Sequence, residues 1–175
     1  MRFRGQVYRA HHPRWAFSPL SGEGAARHGG RFNPPGMPAL YTAQRMQTAW
    51  TEAQQAFPFK AQPMTLCAYE VDCTDVLDLT DTAEQRAQGI NRATLACPWE
   101  DLASRREMPP SWDLTQRLHA AGIAAIIVPS FAAGATAADI NIVFWSWGPD
   151  LPHLLRVIDD EGRLPRDERS WGGGG

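Results

Sequence analysis

The N-terminal third of the chain contains the stretch Ser21-Gly-Glu-Gly-Ala-Ala-Arg-His-Gly-Gly-Arg-Phe-Asn-Pro-Pro-Gly36, which leads into the short apolar run Ala39-Leu-Tyr-Thr-Ala43. Glycine and proline at this density allow no long regular element, so the pattern predicts a structured loop that ends at a short strand. Loops of this length inside a folded domain are uncommon and are usually functional. We therefore expect the site to involve this loop.

Short strands and short helices follow one another on irregular connections outside this stretch. The predicted strands cover 6–10, 39–43, 64–71, 76–79, 123–128, 140–145 and 154–158, and the predicted helices cover 44–57, 83–88, 99–107 and 112–121. This mixture favours an α+β fold with small mixed or antiparallel sheets over regularly wound βαβ units. We expect one domain over 1–160, followed by a charged and then glycine-rich tail over 161–175.

The composition is that of an ordinary folded protein. The chain has 175 residues, of which 43% are hydrophobic and 21% charged, and this excludes disorder along its whole length. The formal net charge of −2 gives no overall positive field to attract nucleic acid or anionic lipid. The three cysteines lack the spacing of a disulfide framework or a metal site. No apolar run is long enough for a secretion signal or a membrane span. We expect a cytoplasmic protein without a bound metal.

Two arginines of the glycine-rich loop are candidates for binding an anion. Arg27 and Arg31 lie among residues that allow a backbone to approach a ligand closely. A guanidinium can hold a pyrophosphate through paired hydrogen bonds, and it does not lose its charge. The alternative is that both are surface arginines on a turn-rich loop. The dinucleotide fingerprint is absent, because arginine occupies position 27, where the fingerprint that begins at Gly22 requires a third glycine. The GxxxxGK(S/T) pattern of a P-loop is also absent.

The helix that follows the apolar run carries one acidic side chain. Five apolar residues at helical spacing predict a single buried stripe: Met46, Ala49, Trp50, Ala53 and Phe57. Glu52 lies about 60° from Ala49 around the helix axis, which places its carboxylate at the rim of the stripe. Two interpretations stay open: Glu52 faces a cleft together with Tyr41, or it is a solvated charge that pairs with Arg45.

Several segments, taken in order, resemble the RES domain of bacterial toxin–antitoxin pairs. They are Tyr8-Arg9, the loop with its core Arg31-Phe-Asn-Pro-Pro-Gly36, Ala39-Leu-Tyr41-Thr-Ala43, Thr48-Ala-Trp-Thr-Glu52, Val128-Pro-Ser130 and Asn141-Ile-Val143. The resemblance extends from residue 6 to residue 147, and the loop core is its most specific part. It implies an ADP-ribosyltransferase-like fold and an enzyme that cleaves NAD+ between nicotinamide and ribose.

The resemblance also implies roles for individual residues. Glu52 is expected to stabilise the oxocarbenium ion that develops as nicotinamide leaves, and Tyr41 to stack on the nicotinamide ring. Arg31, helped by Arg27, is expected to hold the pyrophosphate. Two further residues are expected to contact the dinucleotide: Ser130, by a hydrogen bond to the ribose or pyrophosphate, and Asn141.

The resemblance leaves open which group accepts the ADP-ribose. We favour a protein side chain, because the long segment between Glu52 and Ser130 could shape a surface for a target. Water or inorganic phosphate is the alternative. The family also implies a partner, an Xre-like antitoxin that blocks entry to the active site and provides any DNA contact. Two other classes stay open: a non-catalytic domain that binds an anionic peptide or nucleotide, and an RNA-cleaving toxin.

Overall fold

A seven-stranded mixed sheet is the framework of the computed structural model, which describes residues 1–55 and 61–169. The strands are β1 (Phe3–His11), β2 (Leu40–Ala43), β3 (Thr65–Cys73), β4 (Val76–Asp78), β5 (Ala125–Pro129), β6 (Ile140–Phe144) and β7 (His153–Val157). They lie in the order β4-β5-β6-β2-β1-β3-β7, with β4 and β5 parallel and the other pairs antiparallel. The predicted α+β fold is confirmed, with one mixed sheet in place of several small ones.

Short helices fill the connections between the strands. They are α1 (Glu23–His28), α2 (Met46–Gln54), α3 (Thr82–Ala87), α4 (Arg92–Leu95), α5 (Trp99–Ser104) and α6 (Pro110–Ala120), together with a 3₁₀ turn over Pro13–Trp15. Helix α1 lies inside the loop for which no regular element was predicted, and Gly29, at φ +73°, ends it. No helix in the described ranges has the length and apolar character needed to cross a membrane.

Buried side chains cover both faces of the sheet. Alternation along β6 sends Ile142 and Phe144 into one core and Val143 into the other. The second core also contains Leu114 and Leu118 of α6. Tyr41 pairs with Val143 across β2 and β6 and therefore lies on the face of this second core. The cleft described below opens on that same face.

Helix α2 is shorter than predicted and turns a different side towards the sheet. It ends at Gln54, and the predicted Phe57 lies outside the described residues. Ala49 of the predicted stripe is buried, but Met46 is 48% exposed and Trp50 is 37% exposed, so the buried side of the helix is rotated from the prediction towards Thr48. Thr48 and Glu52 both have hydrogen-bond partners in β6 or in the loop before it, and these contacts turn the polar side of the helix inwards.

Candidate active site

A cleft of about 730 Å³ opens beside β1, β2 and β6. This volume lies within the range of small-molecule sites, about 300–1,000 Å³. Its polar and aromatic lining includes Tyr8, Arg9, Arg31, Tyr41, Glu52, Gln55, Trp99, Glu100, Phe131 and Asn141. A second, shallower depression of about 490 Å³ shares no lining residue with the cleft. We therefore place the site in the cleft, where charged groups and aromatic rings meet.

The carboxylate of Glu52 is held in the cleft wall by three side chains. Ser130 Oγ and Asn141 Nδ2 each donate to Glu52 Oε1 at 2.5 Å, and Gln55 Nε2 donates to Oε2. Ser130 follows the last residue of β5, and Asn141 is the second residue of β6. The two interpretations from the sequence are thereby decided in favour of the cleft, since Arg45 pairs with Asp139 instead of Glu52.

Arg31 is fixed on the loop by the segment that precedes α5. Its Nη1 donates to Cys97 O at 2.7 Å and to Leu95 O at 3.4 Å, and its Cζ lies 4.8 Å from the centre of the Phe131 ring. Burial lowers the pKa of Arg31, although a guanidinium stays charged near neutral pH. Its Nε and Nη2 form no hydrogen bond within the described ranges, so these donors are available to an anion.

Arg9 of β1 is a second arginine among the residues that line the cleft, but its side chain points to the face of the first core, beside Val7 and its cross-strand neighbour Cys67. The sequence predicted no role for it. Its Nη1 donates to Pro19 O at 3.0 Å and to Ser21 O at 3.4 Å, and burial lowers its pKa. No acidic side chain in the described part of the chain forms an ion pair with it. A buried cation without a carboxylate is unfavourable until an anion joins it. The only signal in the sequence was the dipeptide Tyr8-Arg9 within the resemblance.

Arg27 does not line the cleft. It lies on α1, where its side chain is 63% exposed and its Nη2 lies 3.5 Å from Oε2 of Glu23. Its guanidinium lies 5.9 Å from the centre of the Trp15 ring. The second arginine of the cleft is therefore Arg9 and not Arg27, because α1 turns Gly24 and Ala25 towards the cleft.

Tyr41 lines the cleft and uses its hydroxyl to hold the loop. The hydroxyl donates to Asn33 Oδ1 at 2.7 Å and accepts from Phe32 N at 2.9 Å. Burial raises the pKa of this phenol. A Cβ on Gly30 would lie 2.5 Å from the hydroxyl oxygen, so this close approach of the loop requires glycine. Tyr41 thus shapes the loop that carries Arg31.

The sequence of the whole domain matches a known family. The RES domain family model matches residues 6–167. The chain belongs to the RES domain family. It is 45% identical over 80 residues to the NAD(+) phosphorylase MbcT of Mycobacterium bovis and to that of Mycobacterium tuberculosis, over 41% of this chain and 43% of each relative. The matched segment therefore spans less than half the length of these curated relatives.

A solved structure has a fold similar to that of this chain. In the crystal structure of the M. tuberculosis MbcT–MbcA toxin–antitoxin complex, the matching chain has a TM-score of 0.62 and 24% sequence identity. The match covers 91% of this chain and 84% of that one. In the RES fold of this chain, Arg31, Tyr41, Glu52 and Asn141 line the cleft, and Ser130 reaches it through its bond to Glu52. Within the described ranges, no group of three or more His, Cys, Asp or Glu side chains is placed to hold a metal.

Proposed function

We propose that this RES domain is the toxin of a toxin–antitoxin pair and that it cleaves NAD+ between nicotinamide and ribose, with inorganic phosphate as the acceptor. The observation that carries the proposal is the Glu52 carboxylate, which is oriented by Ser130 and Asn141 in a cleft that also contains Arg31, whose guanidinium has no ion-pair partner among the described residues. The activity named for the relatives, NAD(+) phosphorylase, supports phosphate over the protein side chain that we favoured from the sequence.

The chemistry requires negative charge beside the ribose. The bond between nicotinamide nitrogen and ribose C1 breaks with its electron pair on nicotinamide, and a phosphate oxygen forms the new bond to C1. Positive charge develops on the ribose between these events, and a fixed carboxylate stabilises it more in the transition state than in the ground state. Glu52 fits this role because its Oε1 already accepts two hydrogen bonds, while Oε2 retains capacity for a further donor such as the ribose 2′-hydroxyl.

The guanidinium of Arg31 matches the pyrophosphate of the substrate. Arg31 binds the pyrophosphate through its remaining Nε and Nη2 donors, which form the planar fork that suits phosphate oxygens. Arg9, which is buried behind β1 and has no carboxylate partner among the described residues, adds positive charge beside the cleft and so favours an anionic ligand there.

Aromatic rings give the nicotinamide ring a place to stack. Tyr41, Trp99 and Phe131 all line the cleft. The hydroxyl of Tyr41 is bound to the loop, so only its ring is offered to the substrate. Stacking on such a ring places the leaving group without adding a charge that would oppose its departure.

The partner that we propose is an Xre-like antitoxin that covers the entrance of the cleft. The related fold was solved as a toxin–antitoxin complex, which supports a protein partner. The net charge of −2 on this chain leaves contact with DNA to that partner. Purified complex is expected to consume NAD+ far more slowly than the free chain, and equal rates would contradict occlusion of the cleft.

Product analysis tests the acceptor. The purified chain is incubated with NAD+ with and without inorganic phosphate, and with cell lysate and labelled NAD+, and the products are identified by mass. Phosphorolysis predicts nicotinamide and a phosphorylated ADP-ribose, only when phosphate is present. Free ADP-ribose at the same rate without phosphate would indicate hydrolysis, and label on a lysate protein would indicate ADP-ribosylation. Binding without any nicotinamide release would support the non-catalytic class.

A further inference from the structure

Asp139, in the loop between β5 and β6, connects the elements that hold Glu52. Its Oδ1 accepts a hydrogen bond from Thr48 Oγ1 at 2.6 Å, and its Oδ2 accepts bonds from the backbone nitrogen and the hydroxyl of Thr136, both at 2.8 Å. Its backbone oxygen accepts from Ser130 N at 2.7 Å. One residue thus contacts helix α2, its own loop and the residue that donates to Glu52.

The hydrogen bond between Thr48 and Asp139 lies on the side of α2 that carries Glu52. Thr48 lies four residues before Glu52 in α2, so the two side chains share one side of the helix. Thr48 is 1% exposed, and neither Thr48 nor Asp139 lines the cleft. Asp139 also precedes Asn141 by two residues. The donors Ser130 and Asn141 and the acceptor Glu52 are therefore all fixed relative to the Asp139 carboxylate.

We propose that Asp139 and Thr48 form a positioning pair that sets the distance between α2 and the β5–β6 loop, and so fixes Glu52 against Ser130 and Asn141. The inference rests on the proposed function, because it assigns the pair to the carboxylate of that reaction. Both residues act through Glu52 and touch no substrate.

The energetics favour a firm contact. A hydrogen bond to an ionised acceptor is shorter and stronger than one between neutral groups, and 2.6 Å is short for O–H···O. The hydrogen bonds from Thr48 and Thr136 lower the pKa of Asp139 to about 2, so the acceptor is ionised at neutral pH. Arg45 Nη1, 3.8 Å from Oδ1, adds a further positive charge at the rim.

Substitution of Thr48 separates positioning from general stability. Thr48→Val keeps the shape of the side chain and removes the donor, whereas Thr48→Ser keeps the donor. Thr115→Val is the matched control, because Thr115 is also fully buried and its hydroxyl donates to Phe32 O, which retains Trp145 Nε1 as a donor. Nicotinamide release gives kcat and KM for each variant, and thermal unfolding confirms that each is folded.

A positioning role predicts that Thr48→Val lowers kcat about 10- to 100-fold while KM for NAD+ stays within about twofold, since a displacement of about 1 Å at a reacting group has effects of this size. Thr48→Ser should restore most of kcat, and Thr115→Val should retain it. In a Ser130→Ala background, Thr48→Val should lower kcat less than it does in the wild type, because both changes act on Glu52.

Three results would overturn the inference: wild-type kcat in Thr48→Val, an equal loss in Thr115→Val, or losses from Thr48→Val and Ser130→Ala that simply multiply. Glu52→Gln separates this failure from that of the proposed function. If Glu52→Gln releases nicotinamide at the wild-type rate, the proposed function is wrong. If Glu52→Gln is inactive and Thr48→Val is fully active, only the positioning pair is wrong.

Discussion

Ser130 donates to the Glu52 carboxylate and in turn accepts a hydrogen bond from the backbone nitrogen of Ala132 at 3.2 Å. Its hydroxyl is therefore part of a chain of donors that is complete before a substrate arrives. Such preorganised groups need no rearrangement during the reaction. Ser130 consequently orients Glu52, and its position does not require it to attack the ribose.

The first prediction concerns this hydroxyl. Ser130→Ala removes one of the two donors to Oε1, and Asn141 Nδ2 remains. We expect kcat to fall about 10- to 100-fold, by analogy with the loss of one donor from a preorganised site, and measurable activity to persist. Steady-state nicotinamide release gives the values. Complete loss of turnover in folded protein would instead indicate a nucleophilic serine.

The second prediction concerns Arg9. Arg9→Lys keeps the charge but removes the guanidinium that holds Pro19 O and Ser21 O before the glycine-rich loop, so the cleft should distort and KM for NAD+ or for phosphate should rise about tenfold or more. Arg4→Lys is the matched control, because Arg4 lies on the same strand with a 68% exposed side chain and pairs with Asp72. Initial rates at varied NAD+ and phosphate show which ligand is affected. Unchanged KM values for both ligands would remove Arg9 from the binding site.

The third prediction concerns the pH dependence of stability at Asp139. Its pKa is lowered from 3.8 to about 2 in the folded chain, chiefly by the Thr48 hydroxyl. Its contribution to the free energy of unfolding is therefore complete above about pH 4 and is lost as the pH falls towards about 2. Asp139→Asn should be less stable than the wild type at pH 6, and the difference in urea midpoint should shrink towards pH 2. A difference that does not vary over this range would contradict the assignment.

At the scale of elements, the glycine-rich loop depends on a close approach to β2. Tyr41 of β2 binds the loop at Phe32 and Asn33, and Trp112 of α6 donates to Gly30 O at 2.7 Å. The guanidinium of Arg31 extends from this loop to the carbonyls before α5. The loop is thus attached at both sides, and this determines where Arg31 enters the cleft.

The fourth prediction tests this attachment. Gly30→Ala would bring Cβ within 2.5 Å of the Tyr41 hydroxyl and 2.7 Å of Asn33 Oδ1, so the loop must move. We expect a loss of about 1–3 kcal/mol in stability, as for other overpacked sites, together with a higher KM for NAD+. Gly148→Ala is the control, because nothing lies within 4 Å of its added Cβ. Native stability and KM in Gly30→Ala would contradict this account of the loop.

The elements also show what the sequence can predict. Strand β5 was located because its apolar run is continuous, and β5 and β6 were both placed to within two residues. Helices α1 and α4 were missed because, at six and four residues, they are too short to carry a periodic pattern. The direction of α2 was wrong because hydrogen bonds to residues 78 to 91 positions away decide it.

The same reason limits prediction of the site. The resemblance assigned roles to Glu52, Arg31 and Tyr41, whereas the residues alone indicated an anion-binding loop at Arg31 and placed Glu52 only at a helix rim. Arg9 and Asp139 were not found, because their importance arises from burial and from contacts that join distant parts of the chain. A sequence pattern shows which types of residue are present. Whether a charged side chain is buried, and whether it has a partner there, can be seen only in the folded structure.

At the scale of the whole molecule, the sheet order assembles the site. Strand β6 pairs with β5 on one side and with β2 on the other, and α2 follows β2 in the chain. Glu52, Ser130 and Asn141 therefore meet although they are far apart in sequence. The arginine loop precedes β2 and reaches the same cleft. One cleft thus combines the fixed carboxylate of Glu52 with the guanidinium of Arg31, and the proposed cleavage of NAD+ rests on this combination.

The central claim is that the Glu52 carboxylate drives the departure of nicotinamide, and the fifth prediction tests it. Glu52→Gln preserves size and most hydrogen bonding but removes the charge, so the rate of nicotinamide release from NAD+ in phosphate buffer should fall by about 10²-fold or more. The measurement compares wild type and variant at equal concentration, after thermal unfolding has confirmed that both are folded. A folded Glu52→Gln variant that releases nicotinamide at the wild-type rate would contradict the account.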